Sequence, residues 1–378
     1  MSRKTAGTLF IAVLIIGIAL LFRQQIGRMI TYGGYRVSNS RPQHPANTST
    51  PATGTKSNTP TPSFPTSYTA TSPFGVLPNF SEGTVLSVQS RLAVAKTLGV
   101  SLMRTTEVAG KTPPYTAQQL AQAGIHILMN IKKPADMSLT AFQADIAQKI
   151  AQVAPTVIVV DNEEDGNNFY QGTVDEYIAE LKAVVETAHQ YGVKVADGGI
   201  SGGPARLVTW NYYWTTGQYA QADAFAIKAF RDSGVPRLAK LYDDLPNQSN
   251  PTRPILANHA DSKLRLERSI AFLAAFKTIP MDYVNFHWYQ TTNGAMTEVV
   301  NYFRQATGKP VITNEIGQYD TNGAVTTALM QEAAGLQLPY VIWYSGDGGE
   351  GKAVALTNKD GSLRPSGAAF KAFIYANY

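Results

Sequence analysis

From Phe74 onward the chain repeats one pattern: a short apolar run, often preceded by Gly or Pro, then a longer stretch with helical spacing. The short runs number eight: Phe74–Val76, Leu102–Arg104, His126–Asn130, Val157–Val160, Lys194–Ala196, Tyr283–His287, Val311–Thr313 and Tyr340–Trp343. Val157-Ile158-Val159-Val160 shows no polar alternation, as expected of a strand covered on both faces in a parallel sheet. Helical spacing is clearest from Val174 to Tyr191, where Tyr177, Leu181, Val184, Ala188 and Tyr191 share one face. Thr173 suits its N-cap, and Gly192 stands where such a helix should stop. Further helices are predicted over 261–278 and 365–375. An open, doubly wound sheet would want a glycine-rich phosphate loop after the first strand, and Phe74-Gly75-Val76-Leu77-Pro78-Asn79 offers none. The expected fold is therefore α/β, a (β/α)8 TIM barrel spanning residues 73–378. Residues 210–260 exceed what one helix and its loops require, so an excursion over the catalytic face is expected there.

What precedes the barrel has a different composition. After a basic tip come seventeen uncharged residues, Ala6–Phe22, with no small-residue cleavage site behind them. Residues 1–37 are expected to be a cytoplasmic tip and signal-anchor, contacting the membrane through an N-terminal transmembrane helix. Residues 38–72, rich in Ser, Thr and Pro, lack the apolar surface that would offset the entropy of ordering, and are expected to be a disordered linker. The layout predicts a single-pass protein with an extracytoplasmic catalytic domain, or a secreted one if the leader is cleaved. The leader holds 7 basic residues and no acidic one before Glu82, so the remainder carries 32 − 7 = 25 basic against 27 acidic residues. A nearly neutral domain gives a nucleic-acid partner no support. Cys is absent, which excludes disulfides, thiolate nucleophiles and Cys-based metal sites.

Two apolar runs end on acids. Val157–Val160 leads into Asp161-Asn162-Glu163, and Val311-Ile312-Thr313 into Asn314-Glu315-Ile316-Gly317. In a parallel barrel, the carboxyl ends of the strands are where chemistry happens. Two carboxylates facing each other across that mouth are what cleavage of a glycosidic bond requires. One protonates the departing oxygen, and the other attacks the anomeric carbon or activates water.

These motifs resemble those of the clan A glycoside hydrolases, retaining (β/α)8 enzymes. Asn162-Glu163 resembles their acid/base motif on the fourth strand, and Ile312–Gly317 their nucleophile on the seventh. The resemblance implies Glu163 and Glu315 as catalytic residues. It implies Arg104 and Tyr289 as groups that keep Glu315 ionised, and Asn162 as a ligand of the neighbouring sugar hydroxyl. His287, Trp288, Tyr289 and Trp343 are implied at the substrate, Trp343 as the aromatic floor beneath the attacked sugar. Asn168–Tyr177 is similar to the segment after the acid/base in the β-xylosidase type (family 39). The implied activity is a retaining glycosidase acting on a polysaccharide or oligosaccharide. No cofactor or metal is expected, and the chain is expected to act as a monomer.

Other readings compete at single positions. Glu163-Glu164-Asp165 replaces the common Pro after the acid/base, which leaves Glu164 as an alternative proton donor. Asp161-x-Glu163-x-Asp165-Gly166 opens like a calcium loop, but its twelfth position is Gly172 and a strand precedes it. Trp210-Asn211-Tyr212-Tyr213-Trp214 suits either a glycan-stacking groove or a plug that packs the excursion onto the barrel. A non-catalytic glycan-binding barrel is the rival from another functional class.

Overall fold

The eight apolar runs form eight parallel strands: β1 Phe74–Leu77, β2 Leu102–Val108, β3 His126–Lys132, β4 Val157–Val160, β5 Lys194–Asp197, β6 Val284–Tyr289, β7 Val311–Gly317 and β8 Val341–Tyr344. Their order around the sheet is β5-β4-β3-β2-β1-β8-β7-β6. Parallel bridges Ala196–Tyr283 and Ile200–Phe286 join β5 to β6 and close the (β/α)8 barrel. This computed structural model describes residues 72–81, 84–111, 115–347 and 354–378. The expected signal-anchor, and the expected linker through Thr71, lie outside the described residues. Among the described residues no helix is long and apolar enough to cross a membrane.

Helices alternate with the strands: α1 Val88–Leu98, α2 Tyr115–Gln122, α3 Leu139–Val153, α4 Val174–Gln190, α5 Gly202–Thr215, α6 Tyr219–Ala226, α7 Pro236–Tyr242, α8 Ala260–Phe276, α9 Ala295–Thr307, α10 Gly323–Gly335 and α11 Pro365–Asn377. Helix α4 starts with a reciprocal capping box, Thr173 to the Glu176 amide and Glu176 back to the Thr173 amide. The segment similar to the β-xylosidase type therefore serves as a helix start. Tyr177, on its buried face, places its hydroxyl between Val160 O (2.9 Å) and Gly198 N (2.8 Å), tying α4 to the ends of β4 and β5.

Strand alternation divides the core in two. Leu77, Leu102, Leu128, Val157, Val159, Ala196, Ile312 and Ile342 fill the barrel interior. Their neighbours along the strands, among them Val76, Ile158, Val160, Val311 and Val341, face the helices and belong to the larger outer core.

The excursion over 210–260 is built from α5, α6, a π-helical turn over Ile227–Arg231, and α7. The aromatic cluster after β5 lies on α5 and works as packing. Trp210 is fully buried and stacks on Trp214, and Tyr212 stacks on Tyr302 of α9 at 4.7 Å.

Candidate active site

Strand β4 is apolar to its last residue, and the chain then turns sharply. Asp161 (φ 63°) and Glu163 (φ 45°) both take the left-handed conformation, which is costly for residues with a Cβ. Asp161 holds the turn, its carboxylate accepting from the Asn162 amide at 2.7 Å. Asp165 receives Ser201 N and Ser201 Oγ, each at 2.8 Å, and Arg265 Nη2 at 2.7 Å. The turn is thereby bound to the loop after β5 and to α8. Glu163 is left at the mouth while Glu164 is folded inward and fully buried.

Strand β7 delivers its acid by another device. Between Ile312 and Glu315 it advances three residues while β6 advances two, from Asn285 to His287. The register against β8 shifts in the same place. This bulge breaks the alternation, so the adjacent residues Asn314 and Glu315 both reach the barrel's interior.

Glu315 is surrounded by donors. Arg104 Nη1 lies 2.7 Å from its Oε2, and Tyr289 Oη donates to its Oε1 at 2.8 Å. Arg104 also donates to Asn314 O at 3.1 Å and to Asn162 Oδ1 at 2.5 Å, which fixes the Asn beside Glu163. Across the mouth, His287 Nδ1 is 3.0 Å from Glu163 Oε1 and 3.9 Å from Glu315 Oε1. One oxygen of each carboxylate and a His287 ring nitrogen lie within 4.8 Å of one another. Gly199 (φ 100°) makes room for the ring, since a Cβ there would stand 2.6 Å from His287 Nε2.

A relay of amides fixes a hydrogen on one nitrogen of that imidazole. Asn130 Nδ2 donates to Asp161 O, so its Oδ1 accepts from Asn314 Nδ2. Asn314 Oδ1 is then the acceptor facing His287 Nε2 at 2.8 Å, which must carry a hydrogen. The Nδ1–Oε1 contact with Glu163 consequently holds one proton, either on the ring or on the carboxyl. Burial alone would lower the His287 pKa, but the negative charges of Glu315 and Glu163 outweigh it and raise the pKa. Burial alone would raise the Glu315 pKa, but His287, Arg104 and the Tyr289 hydrogen bond hold it below its ordinary value. Burial, then the charge of Glu315, keeps Tyr289 protonated far into alkali, so it remains a donor.

Glu163, His287 and Glu315 are also spaced like metal ligands. Arg104 already supplies Glu315 with a full positive charge at 2.7 Å, and a divalent cation would stand against it. The donor set fits a proton better than a metal.

Of the residues singled out in the sequence, Arg104, Asn162, Glu163, His287, Tyr289 and Glu315 converge on one mouth. Trp288 and Trp343 do not, and substrate contact is not open to them. Both are fully buried in the outer core. Trp288 Nε1 donates to Thr291 O with the Arg206 guanidinium 3.5 Å from its ring centroid, and Trp343 packs edge-on against Phe370 of α11. Alternation explains both, because Trp288 lies between inward-facing His287 and Tyr289, and Trp343 between Ile342 and Tyr344. The aromatic on the inner side of β8 is Tyr344, 6.5 Å from the Tyr289 ring. Asn130 and Asn314 are site residues that strand-end reading alone does not reveal.

Glu164, the alternative donor, faces away from the mouth. Its carboxyl touches Gly198, where a Cβ would stand 2.7 Å from Oε2, and neighbours the fully buried Asp197. Burial, then the charges of Asp197 and Asp165, raise the Glu164 pKa far above the carboxylate range. Asp197 itself is pushed up to about 7, mainly by burial. This pair retains a proton where isolated carboxylates have lost theirs.

The fold and site define a (β/α)8 barrel with two acids and a histidine at the carboxyl ends of β4, β6 and β7. A family model described as the glycosyl hydrolase catalytic core matches residues 262–370, the part that carries His287, Tyr289 and Glu315. Among solved structures the chain is similar to a GH128 (subgroup II) endo-beta-1,3-glucanase from Sorangium cellulosum, at 13% identity over 80% of this chain and 98% of that one, TM-score 0.46. It is similar to a GH128 (subgroup VII) oligosaccharide-binding protein from Trichoderma gamsii, at 13% identity over 83% and 97%, TM-score 0.44. It is also similar to a GH26 beta-mannanase from Bacteroides ovatus, at 12% identity over 79% and 87%, TM-score 0.45. No curated protein matches the chain.

Proposed function

We propose that the protein is a retaining glycoside hydrolase acting on a polysaccharide or oligosaccharide. The observation that carries the reading is the pair Glu163 and Glu315, whose oxygens approach within 4.8 Å with unlike neighbours: Arg104 and Tyr289 at one, a single-proton bond to His287 at the other. Such a close approach of the nearest oxygens favours the narrow spacing of retaining sites, whose carboxyl groups stand about 5–5.5 Å apart, over the about 6.5–9.5 Å of inverting ones. The match to the glycosyl hydrolase catalytic core over 262–370 supports the same chemistry.

In the first step a Glu315 oxygen bonds to the anomeric carbon while the bond to the leaving oxygen breaks. The proton held between His287 and Glu163 passes through Glu163 to that oxygen. In the second step water attacks the same carbon, gives its proton to Glu163, and Glu315 leaves as a carboxylate. Arg104 and Tyr289 keep Glu315 ionised for attack and receive its charge back on release. Asn162, anchored by Arg104, is placed to bind a hydroxyl of the sugar under attack.

The place of action belongs to the proposal. The uncharged run Ala6–Phe22 and the Ser/Thr/Pro stretch behind it suit a barrel tethered just outside a membrane.

The test is covalent labelling with 2-deoxy-2-fluoroglycosides bearing a good leaving group, read by peptide mass, together with the anomeric form of the first product. The expected results are a label on Glu315 and a product that keeps the substrate's configuration. Undiminished turnover by Glu315→Ala ends the assignment. A barrel that only binds glycans would hold them equally well with either residue at 315 and cleave none.

A further inference from the structure

A cleft of about 370 Å³ opens beside the reaction centre, and its wall includes Glu163 and Tyr289 but not Glu315, Arg104 or Asn162. It therefore lies on the proton donor's side of the scissile bond, where the leaving group must sit. Its side chains are unusual for a site that would take a neutral sugar. Arg206 lies in it, almost wholly buried, and its hydrogen-bond partners are all neutral: Gly202 O at 2.6 Å, Thr291 Oγ1 at 3.0 Å and Tyr289 O at 3.3 Å. Its Nε has no hydrogen-bond partner among the described residues. Burial lowers its pKa to about 9, which the distant charge of Glu332 does not offset.

Above it, Arg237 and Lys240 stand three residues apart on α7, hence on one helix face, and both line the cleft. Arg237 reaches only the Tyr319 hydroxyl, at 3.3 Å, and neither residue is paired with a carboxylate among the described residues. Two acids line the cleft, on the side of α8 and β4. Glu163 is bonded to His287, and the exposed Asp261 stands near Arg265, whose ion-pair partner is the buried Asp165. Tyr319, 38% exposed, lies parallel to Tyr289 at 5.2 Å and offers an aromatic face to a sugar ring in the same cleft.

Two cations without a carboxylate partner, above a buried third that stacks on Trp288 and beside an aromatic platform, are the recognition chemistry of an anionic sugar. We propose that the leaving-group side of this site takes a glycan residue bearing a negative substituent, a uronate carboxylate, held by Arg237 and Lys240 over Tyr319 with Arg206 beneath. The proposal rests on the glycosidase reading for the direction of the cleft. It does not rest on that reading for the cleft's charge.

The test uses the full chain carrying Glu315→Ala, so that no glycan is cut, with and without Arg237→Ala/Lys240→Ala. Binding is measured by calorimetry to short oligosaccharides of one β-glucan in three forms: neutral, oxidised at C6 to the uronic acid, and sulfated. The expected result is that the oxidised form binds roughly tenfold tighter than the neutral one, an advantage that shrinks with added salt. The advantage should fall to about twofold or less in the double variant, where the two lost cations stood. A charge-conserving Arg237→Lys/Lys240→Arg variant should keep it, which separates loss of charge from loss of fold. The basic leader is common to all of these proteins and cancels.

Equal gain by the sulfated form would show that the cleft reads charge. Gain by the oxidised form alone would show that it reads the planar carboxylate, which a guanidinium matches with two parallel bonds. Either result supports the proposal. Equal binding of neutral and oxidised chains, no binding of the oxidised chain, or a preference that survives Arg237→Ala/Lys240→Ala overturns it. If the preference holds while the protein with Glu315 intact cleaves none of the three, the glycosidase reading fails and the anion cleft stands.

Discussion

Glu163 and Glu164 are adjacent in this chain, yet each belongs to a carboxyl pair, and the two pairs live under opposite rules. Glu163 and Glu315 face each other at the barrel's mouth, and Arg104, Tyr289 and His287 stand among them. Glu164 and Asp197 lie behind β4 and β5, fully buried, and among the described residues no positively charged group pairs with either. In the first pair Arg104, Tyr289 and His287 hold Glu315 ionised, while Glu163 shares a hydrogen bond with His287. In the second, the absence of such groups leaves two acids competing to be neutral. Adjacency in sequence says nothing of chemical role here; which neighbours carry positive charge decides it.

The comparison is broken most forcefully by exchanging the members of the pairs. Glu315→Ala should lower kcat by about four orders of magnitude or more and Glu163→Ala by roughly 10²–10⁴. Glu164→Gln should stay within about threefold of the native rate. Steady-state kinetics on one glycoside would check all three, and a Glu164→Gln enzyme as dead as Glu163→Ala would erase the distinction.

Arg104→Leu comes next, at about 10²–10³ in kcat/KM, because it removes one preorganised charge from the transition state. It should also move the acid limb of the pH–rate profile upward, since a carboxylate held low by a guanidinium regains its proton earlier when that charge is gone. An unmoved acid limb would mean that Arg104 does not set the ionisation of Glu315.

The buried pair should speak in stability. Its folded pKa values are raised, that of Asp197 to about 7, so its contribution is fully present below about pH 4, where the unfolded acids titrate, and is lost as pH rises through about 7. The slope is about 1.4 kcal/mol per pH unit for each extra proton the folded state holds. Glu164→Gln should flatten that decline, so its Tm should exceed the native value at pH 8 and approach it at pH 5. Parallel Tm curves for the two proteins would contradict a shared proton.

Trp343→Phe should have the smallest effect. A smaller ring in the outer core should cost about 1–3 kcal/mol and leave KM within about twofold. A KM raised tenfold without loss of Tm would return Trp343 to the substrate.

The barrel was legible because each strand is a short apolar run with a turn signal before it, and the two catalytic candidates because such runs end on acids. Side-chain direction was harder. Val341-Ile342-Trp343 is apolar throughout, so nothing in it marks which residues face inward. Strand β6 does carry its phase, since Asn285, His287 and Tyr289 are polar while Phe286 and Trp288 are not, and that spacing sets Trp288 against the helices. Asn314 facing inward beside Glu315 was not legible. It depends on a register shift between β7 and both of its neighbours, which no single strand's sequence contains.

That shift makes the active site depend on a count. Loss of one codon within 312–315 would restore a regular ladder and leave every remaining amino acid of the strand still present. Only one of the two polar side chains could then look inward, and the imidazole would lose either its amide partner or the acid it faces. Length changes are ordinarily absorbed by surface loops, yet here a change of one inside a strand would silence the enzyme while the barrel still closed.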